Sequence, residues 1–288
     1  MPMVTGHRPV KVVIDSGADI PPNLAAELDI TVIPLLVHIS GKTYQDGVDI
    51  SGQALYAELE AARSVTSTSL PSLDALAQAY RHLTGAGYDV VSIHISSKLS
   101  GTFNAALMAS TADGVSSEAV AVVDSRALSM AHGWVAILAA EAAREGRSLE
   151  EVEAVALSTA SRVGIYGALD TLEYVVRSGR LGKVPGVVGN MLNIKPILTV
   201  KPTGEAAITE RLRSSKKALE RIVELTADQL PLERLAVLHG ANEEGAQRLL
   251  ALLQSLNPAQ PVVMGHIGAV LGTHLGPGAV GVCFLRKE

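Results

Sequence analysis

Along the first half of the chain, short apolar runs rich in Val and Ile alternate with longer Ala/Leu-rich stretches at helical spacing. Residues 11–14 read as a strand ending in the turn Asp15-Ser16-Gly17-Ala18-Asp19, and Pro21-Pro22 opens a helix, where proline is tolerated. Residues 30–39 read as one extended strand bent by Pro34, followed by a Gly41-Lys42 turn and a polar loop over 44–49. A helix over 53–62 sets Leu55 and Leu59 on one face. The stretch 66–72 is too polar for core, Pro71 holds Leu70 extended, and Ser72 caps a helix over 73–83. A strand over 90–95, a helix over 103–111 and a strand over 119–123 follow. The next helix, 127–144, is nearly all apolar, so it is expected to be buried on most sides.

The pattern changes after Gly146. Ser148-Leu149-Glu150-Glu151 is a capping box that restarts the chain, and a domain transition is placed near residue 160, giving domains 1–160 and 161–288. A strand over 165–169 precedes a helix capped by Asp170-Thr171-Leu172-Glu173. Gly179, Gly182, Gly186 and Gly189, interleaved with Arg177, Arg180 and Lys183, form a basic segment that reads either as a solvated loop or as a docking surface. Residues 194–200 and 206–212 flank Pro202-Thr203-Gly204-Glu205 as a β-hairpin, with Arg211 and Arg213 on one face. Helices over 216–230 and 243–256 alternate with strands over 235–239 and 262–266. A glycine-rich loop carrying His274 leads to a final strand.

Composition narrows the class. The 288 residues are 48% hydrophobic and 18% charged, enough for a substantial core. Only 3% are aromatic and the net charge is −5, which speaks against nucleic-acid partners that need stacking platforms or phosphate neutralisation. The single cysteine, Cys283, lies in an apolar run and reads as a buried thiol in a reducing compartment. No signal-peptide pattern opens the chain, and no run approaches the ~20 apolar residues of a membrane span, so a cytoplasmic protein without stable membrane insertion is expected.

Repeated strand, polar turn and helix imply a mostly parallel sheet, whose ligands gather at the carboxyl ends of strands. Asp15-Ser16, Ser96 to Asn104 and Asp124-Ser125 all fall there. Each could be no more than a helix cap. Gly276-Pro277-Gly278-Ala279-Val280-Gly281 matches a dinucleotide fingerprint in letters, but the seven residues after it read as a strand and not as the helix that the fingerprint must open, so it is rejected. No Walker sequence, H-E-x-x-H or paired C-x-x-C is present, and no metal or cofactor is expected. Ser100 with His274 could serve a hydrolase, but Lys98 stands where a nucleophile elbow needs its first glycine.

Taken together, Asp15-Ser16, Thr68-Ser69-Leu70-Pro71-Ser72, Ser96-Ser97-Lys98-Leu99-Ser100-Gly101-Thr102-Phe103-Asn104, Val123-Asp124-Ser125, Leu172-Glu173-Tyr174, Arg177-Ser178-Gly179-Arg180, Asn193-Ile194-Lys195-Pro196-Ile197 and His274-Leu275-Gly276-Pro277-Gly278-Ala279 resemble the DegV family of bacterial fatty-acid-binding proteins, in order along nearly the whole chain. The resemblance implies an α/β protein of two domains, a three-layer α/β/α domain with a parallel sheet and a two-layer α/β domain with a mixed sheet. A long-chain fatty acid would lie between them.

By the same resemblance Thr68 and Ser100 would bind the carboxylate and His274 and Arg213 complete its network. Ser69, Ser97, Gly101, Thr102, Asp15 and Ser16 would support the head-group loops. The protein would be the non-catalytic, lipid-carrying subunit of a fatty acid kinase. It would present the acid to a separate ATP-binding subunit, with Arg177, Arg180 and Lys183 as candidate docking residues. Leu70 and Ser178 depart from the family's usual glutamine and glycine. A Ser–His esterase and a small-metabolite binding protein are the competing expectations.

Overall fold

The computed structural model describes residues 7–62, 66–181, 194–256, 258 and 260–288. The first half runs β1 (Val10–Asp15), α1 (Pro22–Glu27), β2 (Thr31–Ile33), β3 (Leu36–Ile39), β4 (Lys42–Gln45), α2 (Gly52–Ala62), β5 (Thr66–Ser69), α3 (Leu73–Gly85), β6 (Asp89–His94), α4 (Thr102–Ser110), β7 (Val120–Asp124), α5 (Ser129–Arg144) and α6 (Leu149–Ala160). The second half runs β8 (Val163–Ala168), α7 (Glu173–Arg177), β9 (Lys195–Val200), β10 (Ala206–Leu212), α8 (Ser215–Ala227), β11 (Leu232–His239), α9 (Glu243–Leu253), β12 (Val263–His266), α10 (Ala269–Leu275) and β13 (Val280–Arg286).

The strands β2-β1-β6-β7 form an all-parallel sheet. Side chains alternate across it: Val13 and Val90 pack under α3 and α4, whereas Val12, Ile14, Val91 and Ile93 face α5 and α6. This is the three-layer α/β/α domain. The strands β10-β9-β8-β13-β11-β12 form a mixed sheet, antiparallel except for the β11–β12 pair. Val280, Val282 and Phe284 face α8 and α9 on its outer side, while Cys283 and Leu285 face inward, in one apolar cluster with α5. Helix α5 is thus clamped between the two sheets, and 12 of its 16 residues are buried. Gly133 allows the approach: a Cβ there would crowd Ile20 and the Ala18 carbonyl.

Three local expectations are corrected. Pro34 does not merely bend a strand; it separates β2, in the parallel sheet, from β3, in a small antiparallel sheet β4-β3-β5. The predicted polar loop over 44–49 begins as β4, and the polar stretch 66–69 is β5, because backbone pairing with β3 tolerates polar side chains on an edge strand. His274 lies not in a loop but on α10, which leaves the second half and packs on α2, β3 and β5 of the first. Among the described residues no helix is long and apolar enough to cross a membrane.

Candidate functional site

A cavity of about 430 Å³ lies between the carboxyl ends of the parallel sheet and the inner face of the mixed sheet. Its wall is mostly apolar, with Ile95, Leu128, Ile165, Leu198, Leu238 and Leu271 beside Ser129 and Thr199, and the partly exposed residues at its rim are polar: Thr68, Ser69, Ser97, Lys98, Ser100, Arg180 and His274. That volume falls within the about 300–1,000 Å³ common for small-molecule sites.

Thr68 reaches the rim because β5 pairs with β3, Val37 opposite Thr68. Its Oγ1 lies 2.8 Å from His274 Nε2. Helix α10 is fixed at both ends. At its start, Gly268 N–H donates to Asp19 Oδ1 and Ala269 N–H to Asp46 Oδ1, each at 2.9 Å. Ser129 donates to the other oxygen of Asp19 at 2.6 Å, and Ser16 to Asp46 at 2.8 Å. At its end, Gly276 (φ 75°) turns the chain against the Tyr174 ring, where a Cβ has no room. Burial pushes the Asp19 carboxyl up to about 7, against its two hydrogen bonds, and raises Asp46 as well.

Burial, helped by the nearby Arg180 charge, pushes His274 down to about 4. It is therefore neutral at pH 7. Its Nδ1 has no hydrogen-bond partner among the described residues. The imidazole serves as a hydrogen-bonding group rather than as a positive charge.

Ser100 sits on the loop after β6, half-buried, with Oγ 2.8 Å from Thr102 Oγ1 and accepting from Thr102 N–H at 3.3 Å. Ser97 is held through its backbone, whose N–H donates to Asp124 Oδ1. No hydrogen bond joins Ser100 to His274 among the described residues, so the hydrolase arrangement is not assembled.

Several expected residues fall elsewhere. Arg213 is exposed and outside the cavity lining: Leu212 packs inward against the outer-face cluster, which turns its neighbours Arg211 and Arg213 to solvent. Asp15, Ser16 and buried Thr102 do not line the cavity; they brace the turns behind it. Gly101 is at the rim as the N-cap of α4. Arg177 is exposed, 3.9 Å from Glu173 and over the Tyr174 ring, while Arg180 lines the cavity. Lys183 lies outside the described residues. Sequence reasoning missed Asp19, Asp46 and Ser129, and assigned Arg180 to docking alone.

A second constellation imitates catalysis. Asp15 Oδ2 lies 3.0 Å from His94 Nδ1, and His94 Nε2 lies 2.8 Å from Ser92 Oγ, which in turn meets Tyr80. All four are fully buried. Burial pushes Asp15 up, but the His94 hydrogen bond and the charges of His132 and His94 more than offset it, so its carboxyl sits below the usual range. With no access for substrate, this chain ties β1 to β6 and carries the loop that follows. Cys283 lines the cavity, and burial pushes its thiol up to about 12, so it is not a nucleophile.

The fold and the cavity define a two-domain α/β protein with an apolar chamber between its domains and a polar rim. Residues 9–287 match the family described as "Uncharacterised protein, DegV family", and the chain belongs to the DegV family. It is 35% identical over 285 residues to protein DegV of Bacillus subtilis, covering 96% of this chain and 99% of that one. A DegV domain-containing protein of Streptomyces coelicolor is 35% identical over 280 residues, covering 96% and 98%. Among solved structures, the fold matches B. subtilis DegV, described as a fatty acid binding protein, with a TM-score of 0.87, 34% identity and coverage of 97% and 100%. A Thermus thermophilus DegV family protein, described by its fatty acid binding, matches with a TM-score of 0.87, 32% identity and the same coverage.

Proposed function

We propose that the protein binds a long-chain fatty acid, with its tail in the apolar cavity and its carboxylate at the rim. The observation that carries this reading is one cavity whose buried wall is mostly aliphatic and whose partly exposed side carries hydroxyls, one neutral histidine, one lysine and one arginine. Burying a fifteen-methylene tail gains roughly 12 kcal/mol at about 0.8 kcal/mol per CH₂, before ordering costs. The carboxylate has to be hydrogen-bonded. With its proton on Nε2, His274 donates to Thr68 and frees the Thr68 hydroxyl hydrogen for the ligand; Ser100 supplies a second donor. Arg180 and Lys98 take the place of Arg213 as the nearby positive charges. The binding reported for the Thermus and Bacillus relatives supports the same ligand class.

Neutral donors hold the carboxylate without locking it into a tight ion pair, which suits presentation to a separate ATP-binding subunit for acyl-phosphate formation. Arg177 and Arg180 beside the rim are the described candidates for that contact. Mass spectrometry of an organic extract of the purified protein tests the reading. A co-purifying long-chain fatty acid is expected; an extract with none, from protein that also fails to take up added fatty acid, would overturn it.

A further inference from the structure

The β9–β10 hairpin contributes Leu198, Thr199, Val200 and Ala206 to the cavity wall. Its support is uneven. β10 is the edge strand; β9 pairs with β8 from Ile197–Ala168 to Thr199–Tyr166, and the Leu169 N–H on the Pro196 carbonyl and the Thr199 hydroxyl on the Ile165 carbonyl extend that seam. Further out, Gly204 is the one buried residue of the turn 201–205. Its carbonyl accepts the hydroxyl of fully buried Ser96 at 2.7 Å, across the junction of the two halves. Gly204 has φ 90°, and a Cβ there would overlap Ser96 Oγ, so the tip is seated by a contact that only glycine allows. The other end is pinned: Arg221 of α8 holds Glu210 at 2.7 Å, beside a register shift between Ile208 and Glu210 that kinks the ribbon.

Ser96 also shapes the head-group loop. Its carbonyl accepts the N–H groups of Leu99 at 2.9 Å and Ser100 at 3.0 Å, and its Oγ accepts Lys98 N–H at 3.2 Å. One residue therefore joins the loop that carries Ser100 to the tip of the ribbon that walls the tail.

We propose that the β9–β10 hairpin is a strap over the cavity, latched by Ser96 on Gly204, whose release admits and discharges the acyl chain. This rests on the reading of the cavity as an acyl-chain site. The base of the ribbon is anchored by buried Ile197 and the Arg221–Glu210 pair, whereas its tip, on an edge strand, is held across the junction by one side-chain hydrogen bond and so opens at lower cost than the interior of either sheet.

Stopped-flow binding of cis-parinaric acid tests this with Ser96→Ala, which removes the latch hydrogen bond, and Gly204→Ala, which wedges the tip away. Association and dissociation rates are expected to rise together by about 3- to 10-fold, the range of one net hydrogen bond, with Kd held within about twofold. Hydrogen exchange without ligand is expected to quicken at residues 197–208 in both variants, and not in β11 or β13. Unchanged rates would overturn the strap. So would a faster dissociation with equally weakened Kd, which would make Ser96 an affinity contact. Wild-type protein that binds no fatty acid would sink the acyl reading instead. The latch would then be judged by exchange alone, and unchanged hairpin exchange in both variants would end it.

Discussion

His274 Nε2 and Thr68 Oγ1 meet at 2.8 Å although 206 residues separate them in the chain. The contact exists because α10 crosses from the second half onto the small sheet of the first. Asp19 and Asp46 accept its leading N–H groups, and Gly276 turns the chain at its end. The rim is thus a junction between distant segments, and its predicted behaviour follows from how each side chain is held.

Ser100→Ala should weaken fatty-acid retention by about 10-fold, the value of one hydrogen bond to a charged group. Ser97→Ala should change it little, since Ser97 is tied in through its backbone N–H to Asp124, which alanine keeps. Isothermal titration of both variants measures this; equal losses would refute the assignment of Ser100.

His274 should stay neutral far below the usual histidine range. Its imidazole resonances should be flat from pH 8 to 5.5 and move with a midpoint of about 4. Arg180→Met removes a charge that opposes protonation, so the midpoint should rise. NMR titration of the two proteins reads both. A wild-type midpoint above 6 would show that the ring is more hydrated than its burial implies.

Asp19 makes stability depend on pH. Its carboxyl is raised from an ordinary 3.8 to about 7, so between those values the native protein keeps a proton that the unfolded chain has released. Stability contributed by this group falls as pH rises through that window and levels above it. Asp19→Asn keeps an acceptor for Gly268 N–H and removes the titration. Its Tm should therefore fall less than the wild type's between pH 5 and 7.5 in calorimetry; parallel curves would contradict this.

Gly276→Ala should destabilise the protein by about 2 kcal/mol or more, because a positive φ with an extended ψ costs a residue with a Cβ about 1–3 kcal/mol and the Tyr174 ring fills the space. Urea unfolding measures it. Gly146→Ala offers a contrast: it shares the positive φ but has nothing within 4 Å, so its cost should be the backbone term alone.

Periodicity alone placed most helices and the parallel strands, because a sheet buried on both faces needs continuous apolar runs and its helices need one apolar stripe. The nearly all-apolar α5 announced its own burial; that two sheets share it was beyond local reading. Polar β5 was not predicted as a strand, since its order comes from a backbone ladder that side-chain hydropathy does not report. Serines after β6 were legible as a candidate rim because loops at strand carboxyl ends carry ligands. Only the tertiary structure decided which groups face the cavity. Arg180 lines it and Arg213 does not, since strand register and the path of the chain set direction after the helices and sheets have packed. Asp19, Asp46 and α10 belong together for the same reason: buried carboxylates and unpaired helix N–H groups satisfy one another across more than 200 residues, a pairing that no local pattern encodes.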